Sequence, residues 1–158
     1  MKVNNYKAYK VILLATLAKE EYPNYETGKI LPLRKWDMNS LDKGTIEKNL
    51  KFEKIRKENY ASLPSRIENN IFVFANKEYA DKWIAQIYGK ISDYLLLELS
   101  LDGEIKWFEA TDYYEDKPVE YWTSASDNPL DSQTTEGLFR GVAKIEKVVC
   151  RKFDIKWM

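Results

Sequence analysis

An α+β fold follows from three patterns in this sequence. Apolar residues alternate along residues 94 to 110, apolar residues recur at three-to-four spacing along 76 to 88, and a short apolar run, Ile71-Phe72-Val73-Phe74-Ala75, stands directly ahead of that second segment. Alternation is the period of a half-buried strand, and three-to-four spacing is the period of one helix face. Together they predict mostly antiparallel, twisted sheets with two main helices and long loops that frame a cleft. With 158 residues, one domain over 1–158 is the expectation.

Each element has its own reasons. Residues 8 to 17 hold Val11-Ile12-Leu13-Leu14 and read as a buried strand. Residues 18 to 43 contain Tyr22-Pro23-Asn24, Thr27-Gly28 and Leu31-Pro32, all turn signals, and read as a long irregular loop. Residues 45 to 60 read as an amphipathic helix whose stripe is Ile46, Leu50 and Ile55, with Phe52 nearby. The basic run on it (Lys48, Lys51, Lys54, Arg56, Lys57) is interrupted by Glu47, Glu53 and Glu58, the pattern of a solvated face. Residues 61 to 70 read as loop, since Pro64 disfavours helix at Leu63.

The run at 71 to 75 is a short buried strand. Asn76 is suited to cap the following helix, and Glu78 suits its first turn. Tyr79, Ala80, Trp83, Ile84, Ile87 and Tyr88 fall on one face, and Gly89 can close the helix in a left-handed cap. Leu95, Leu97, Leu99 and Leu101 alternate with Leu96, Glu98 and Ser100; Asp102-Gly103 predicts a two-residue hairpin turn, after which Ile105 and Trp107 resume. Residues 111 to 135 read as a second long loop, acidic and aromatic. In 138 to 157, Phe139, Ala143, Ile145, Val149, Phe153, Ile155 and Trp157 share one parity, interrupted near Lys147 and Arg151 by a bulge or a break into two strands.

Composition narrows the chemistry. Lys and Arg balance Asp and Glu at 25 each, so there is no basic excess to attract nucleic acid. No apolar run approaches the length of a membrane span, and no signal-peptide plan is legible at the N-terminus. Cys150 stands alone, which fits a reducing cytoplasm and a small core residue. Histidine is absent, which excludes Ser-His-Asp and Cys-His catalysis and any His-ligated metal. The glycines never fall at phosphate-loop spacing. Asp112, Glu115 and Asp116 lie close in sequence without calcium-loop spacing and read as a solvated acidic loop, so no metal is expected. Acid-base work falls to Asp, Glu, Lys or Tyr. A small hydroxyl and a guanidinium ahead of a buried strand, Ser65-Arg66, could bind an anion. Tyr121 and Trp122 lack helical spacing and are candidates to stack on a ligand or a partner.

The order of elements resembles the ADP-ribosyltransferase-like fold. More narrowly, Pro64-Ser65-Arg66 through Phe72-Val73-Phe74, then Ala80 and Trp83, Glu120-Tyr121-Trp122, and Thr135-Glu136-Gly137-Leu138-Phe139 are similar to a group of bacterial and phage proteins of that fold. The resemblance spans most of residues 6 to 149 and rests on short motifs. It implies NAD as a substrate, Glu136 as the catalytic carboxylate that engages the ribose, and Ser65 as a positioning hydroxyl. The first-strand His or Arg of that fold has no counterpart before residue 34, which leaves Tyr9 or Lys10 as substitutes and Arg66 as a phosphate contact. The alternative implied is a binding module of phage or mobile-element origin that engages a host protein or a small ligand without turnover.

Overall fold

A computed structural model describes residues 1–13, 25–32, 43–68, 70–87, 94–132 and 134–152. It is a mixed α+β architecture with a mostly antiparallel sheet. The strands are β1 (Lys2–Leu13), β2 (Ile30–Leu31), β3 (Ile71–Val73), β4 (Tyr94–Glu109) and β5 (Thr135–Lys152). The helices are α1 (Lys43–Asn59), α2 (Lys77–Ile87), α3 (Ala110–Tyr114) and α4 (Pro118–Thr123). Strand order is β1-β4-β5-β2, and β3 pairs with β5.

The chain divides into two compact units. The first comprises Met1, Leu33–Phe72 and Glu104–Arg140; the second comprises Lys2–Pro32, Val73–Gly103 and Gly141–Met158. Strands β4 and β5 therefore each contribute one stretch to either unit.

In the second unit, Val11, Ala80 and Leu96 are buried, with Tyr9, Phe74, Trp83, Ile84, Tyr94 and Val149 packed around them. Helix α2 turns Ala80, Trp83 and Ile84 of its predicted face inward. Asn76 Oδ1 accepts a hydrogen bond from the Tyr79 N–H at 2.9 Å, so the expected cap forms. Phe74 and Tyr9 exchange backbone hydrogen bonds of 2.7 and 3.0 Å. Gly28, at φ +89°, occupies a left-handed turn, and its N–H donates to the Ile145 carbonyl at 2.7 Å. The adjoining β2 pairs antiparallel with β5, Ile30 opposite Lys144 and Leu31 opposite Ala143, where a loop was expected.

The expected hairpin does not form: β4 runs unbroken from Tyr94 to Glu109. Leu95, Leu97, Leu99 and Leu101 are buried as expected, and Ile105 and Trp107 continue the same parity. A two-residue turn sets the residues flanking it side by side on one face, so it would have moved Ile105 and Trp107 to the opposite face from Leu101. Asp102 has another task. Its Oδ1 accepts the N–H of Asn5 at 3.0 Å, where β1 passes through a left-handed conformation at φ +52°.

In the first unit, Phe52, Phe108, Tyr121, Trp122 and Leu138 are buried together, joined by Ile55, Tyr60, Leu63, Phe72, Tyr113 and Ala125. Helix α1 buries Asn49, Phe52 and Glu53, whereas Leu50, expected in the apolar stripe, is 52% exposed. The basic run is likewise not a uniformly solvated face, because Glu53 and Arg56 turn inward and form an ion pair of 2.9 Å. The second long loop contains two short helices, α3 and α4. Glu109 caps the first by accepting from the Thr111 N–H at 3.3 Å, and Pro118 starts the second.

Segment 135–152 is one strand, with Phe139, Ala143 and Ile145 fully buried. Residues 14–17 of the first expected strand, much of the 18–43 loop, Tyr88, Gly89, Phe153, Ile155 and Trp157 lie outside the described residues, as do the side chains of Ile87 and Cys150. Among the described residues, no helix is long and apolar enough to cross a membrane, and no group of three or more acidic or thiol side chains is placed to hold a metal ion.

Candidate functional site

The loop between α1 and β3 is held from both ends. Glu53 on α1 accepts the Arg66 backbone N–H on Oε1 at 2.9 Å, and its Oε2 accepts from Arg56 Nε at 3.0 Å. Arg56 Nη1 in turn donates to the Leu63 carbonyl at 2.9 Å. Ser65 Oγ accepts the Ile67 N–H at 3.1 Å, and Asn70 Nδ2 donates to the Ser65 carbonyl. Ser65 is buried, and its hydroxyl closes a local turn.

These bonds aim Arg66 into the first unit's core. Its Nη1 donates to the Tyr121 hydroxyl and to Glu136 Oε1, each at 2.5 Å, and the Tyr121 hydroxyl donates to the same Glu136 oxygen at 2.7 Å. Aromatic rings enclose the guanidinium. Its Cζ lies 3.7 Å from the ring centre of Tyr113, 4.8 Å from Phe72 and 4.9 Å from Tyr121. Burial works against the Arg66 charge, but Tyr121, Glu136 and Tyr113 outweigh it and raise its pKa further above the ordinary value. Burial, reinforced by Glu136, raises the Tyr121 phenol well above its usual range, so it remains a neutral donor.

Glu136 stands at the start of β5 and retains 15% side-chain exposure, against 4% for Arg66. Both of its hydrogen bonds fall on Oε1; among the described residues none falls on Oε2. The result is a carboxylate held in one orientation through one oxygen, with the second available to accept from a ligand hydroxyl or amine. A charge-assisted bond of this kind is about twice as strong as a neutral one.

Ser65, Arg66, Tyr121, Trp122 and Glu136 all fall in the first unit, and hydrogen bonds join Arg66, Tyr121 and Glu136, although Arg66 and Glu136 are 70 residues apart. Their placement changes three expected roles. The Arg66 guanidinium is buried and neutralised by Glu136, so it does not present a free fork to a phosphate. Tyr121 and Trp122 are fully buried, because α4 turns both inward: Tyr121 stacks on Phe108 at 4.8 Å, and Trp122 Nε1 donates to the Phe52 carbonyl at 2.9 Å. Neither ring offers an open stacking face.

Tyr9 and Lys10 belong to the second unit. The Tyr9 hydroxyl donates to Glu98 Oε1 at 3.2 Å, and burial together with Glu98 raises its pKa.

Three residues around the pair carry no obvious mark in the sequence. Asn49 is buried on α1 and donates through Nδ2 to the Thr45 carbonyl at 2.9 Å and to the Tyr113 hydroxyl at 2.8 Å. Tyr113 therefore contacts both Asn49 and the Arg66 guanidinium. Lys48, the residue before Asn49, places Nζ 4.1 Å from the same ring centre. The available signal was a helix face shared by Asn49, Phe52, Glu53 and Arg56, at i, i+3, i+4 and i+7, which includes three polar residues.

Residues 24–151 match the model of a family described as "Protein of unknown function (DUF2441)". No curated protein matches the chain.

Proposed function

The chain belongs to the DUF2441 family, and we propose, from the geometry around Glu136, that its first unit binds a nucleotide, with NAD as the candidate, through that carboxylate. The observation that carries this reading is the one-sided holding of Glu136: Arg66 and Tyr121 fix Oε1, and Oε2 has no protein partner among the described residues. A ribose presents vicinal hydroxyls, which are donors matched to a fixed acceptor of this kind. The resemblance of Thr135-Glu136-Gly137 to the strand-entry glutamate of ADP-ribosyltransferases supports the choice of NAD, and extends the proposal to transfer or cleavage with Glu136 beside the developing ribosyl cation.

A second reading has its own support. Arg66 compensates the Glu136 charge at 2.5 Å, which weakens the stabilisation a carboxylate gives to a cationic transition state. That favours a binding module without turnover, engaging a small ligand or a host protein.

Calorimetry with NAD, paired with measurement of nicotinamide release, tests both readings. Glu136→Gln keeps the shape and an accepting oxygen, so NAD binding survives in the enzymatic reading while release falls by about 10²–10³-fold. Circular dichroism confirms that the variant is folded before it is compared. Heat of binding without nicotinamide release supports the binding module. The absence of NAD binding by the wild type overturns the nucleotide reading.

A further inference from the structure

If Arg66 is consumed by Glu136, a bound phosphate needs another cation. Helix α1 supplies six, and three are committed to ion pairs. Lys43 lies 3.8 Å from Glu47, Lys51 lies 2.7 Å from Asp116, and Arg56 is paired with Glu53. Lys54 and Lys57 are exposed. Lys48 differs from all of them. It is half-buried, it has no ion pair among the described residues, and its ammonium lies over the Tyr113 ring whose centre is 3.7 Å from the Arg66 guanidinium.

Two further observations set this position apart. Asn49, adjacent in sequence and fully buried, has an Oδ1 with no partner, although its Nδ2 donates to the Tyr113 hydroxyl. Arg66 Nε is also buried without a partner. Both atoms lie on residues that touch Tyr113, but they call for opposite partners: Arg66 Nε is a donor that an anion can answer, whereas Asn49 Oδ1 is an acceptor that only a donor such as a ligand hydroxyl can answer. The field at Lys48 is also unusual. Burial lowers its pKa, and the cations Arg66 and Lys51 lower it further, against a raising contribution from Asp116, which is itself engaged by Lys51.

We infer that Lys48 is the anion contact of the Glu136 site, taking a phosphate or pyrophosphate group of the ligand while Glu136 takes its hydroxyls. The inference rests on the nucleotide reading for its ligand class, but it concerns a different residue and a different part of the ligand. The Lys48 side chain is already half-buried, and binding an anion there breaks no ion pair among the described residues. The aromatic ring beneath it holds it without neutralising it.

The experiment is calorimetry on the full chain with inorganic pyrophosphate, ADP-ribose and NAD. The wild type is compared with Lys48→Met, Lys48→Arg and the control Lys57→Met. The expected result is binding of ADP-ribose and pyrophosphate that weakens about tenfold or more in Lys48→Met, is largely retained in Lys48→Arg, and is unchanged in Lys57→Met. Pyrophosphate binding that weakens in Lys48→Met with no binding of NAD supports the anion site and overturns the nucleotide reading. NAD binding that is equal in wild type and Lys48→Met supports the nucleotide reading and overturns the role of Lys48. Equal weakening by Lys48→Met and Lys57→Met also overturns it, because general surface charge then accounts for the effect. Thermal melts of all variants separate loss of fold from loss of binding.

Discussion

The two units solve the problem of an interior in different ways. In the second unit the core is apolar, built from Val11, Ala80, Leu96 and the leucines of β4, and its ion pairs lie outside, as between Lys77 and Asp81 with half-exposed side chains. In the first unit the core contains charge. All six buried polar or charged residues among those described (Asn49, Glu53, Ser65, Arg66, Asn70 and Thr135) fall there. A buried ion pair contributes little net stability compared with apolar side chains of the same volume, yet it is costly to break. The first unit is therefore the place where residue identity answers to something other than packing. That difference is the main physical reason to look for function at Glu136.

The comparison is most directly broken at the buried pair. Arg66→Met leaves Glu136 and Tyr121 facing an apolar side chain, and Glu136→Leu leaves a buried guanidinium without its anion. Each is expected to cost about 3–5 kcal/mol. The double variant is expected to recover a large part of that loss. Denaturant midpoints of the four proteins give the coupling, and strictly additive losses would show that the pair is not a unit.

In the second unit, Leu97→Ala is expected to cost about 2–5 kcal/mol through lost transfer energy and a cavity, with no coupling to salt or pH. A midpoint within error of the wild type would remove Leu97 from the core.

A smaller effect sharpens the electrostatic side. Burial raises the Glu109 pKa, but hydrogen bonds from Thr134, Ser132 and Thr111 outweigh it, and the net shift is downward. A carboxylate with a depressed folded pKa contributes stability that is present above its unfolded pKa of about 4.3 and lost as pH falls through the lower folded value. Glu109→Gln is thus expected to flatten stability against pH in the acid range and to change its slope little above about pH 6. An acid profile identical to the wild type would show that the carboxylate is not held. The smallest effect is at the surface: Lys77→Gln, which removes an exposed i,i+4 pair on α2, is expected to change stability by about 0.5 kcal/mol or less.

The same contrast explains what could be read from the sequence. The second unit's elements are legible because apolar burial leaves a period: α2 with its Asn76 cap, the leucines of β4, and the Ala143-Ile145 parity of β5. Asp102-Gly103 carries a hairpin signal, but the parity on either side of it fits one continuous strand. Apolar residues stay at odd positions from Leu95 through Trp107, and a two-residue turn would have moved them to Glu104 and Lys106.

The first unit was less legible because its buried face is partly polar. Asn49 and Glu53 do not register as core, so the stripe was drawn through Leu50. Pro118 with Glu120 two residues later was a helix-start signal, and reading it would have placed Tyr121 and Trp122 inside α4 rather than on a polar loop. Ser65, Arg66 and Glu136 were singled out and do lie together in one unit. The pairing of Arg66 with Glu136 spans 70 residues, and the contacts of Arg66 with Tyr121 and Tyr113 are also long-range, which no local period records.

The sequence distance between Arg66 and Glu136 has a consequence during synthesis. At about 5–20 residues per second, a ribosome releases Glu136 roughly 4–14 seconds after Arg66. Throughout that interval the guanidinium lacks its native counter-ion, and withdrawing it from water is unfavourable. The nascent first unit stays open, with Arg66 hydrated, until Glu136 has followed Tyr121 and Trp122 out of the ribosome. Arrival of Thr135-Glu136 then supplies the counter-charge, so the closing of this core waits on the start of β5.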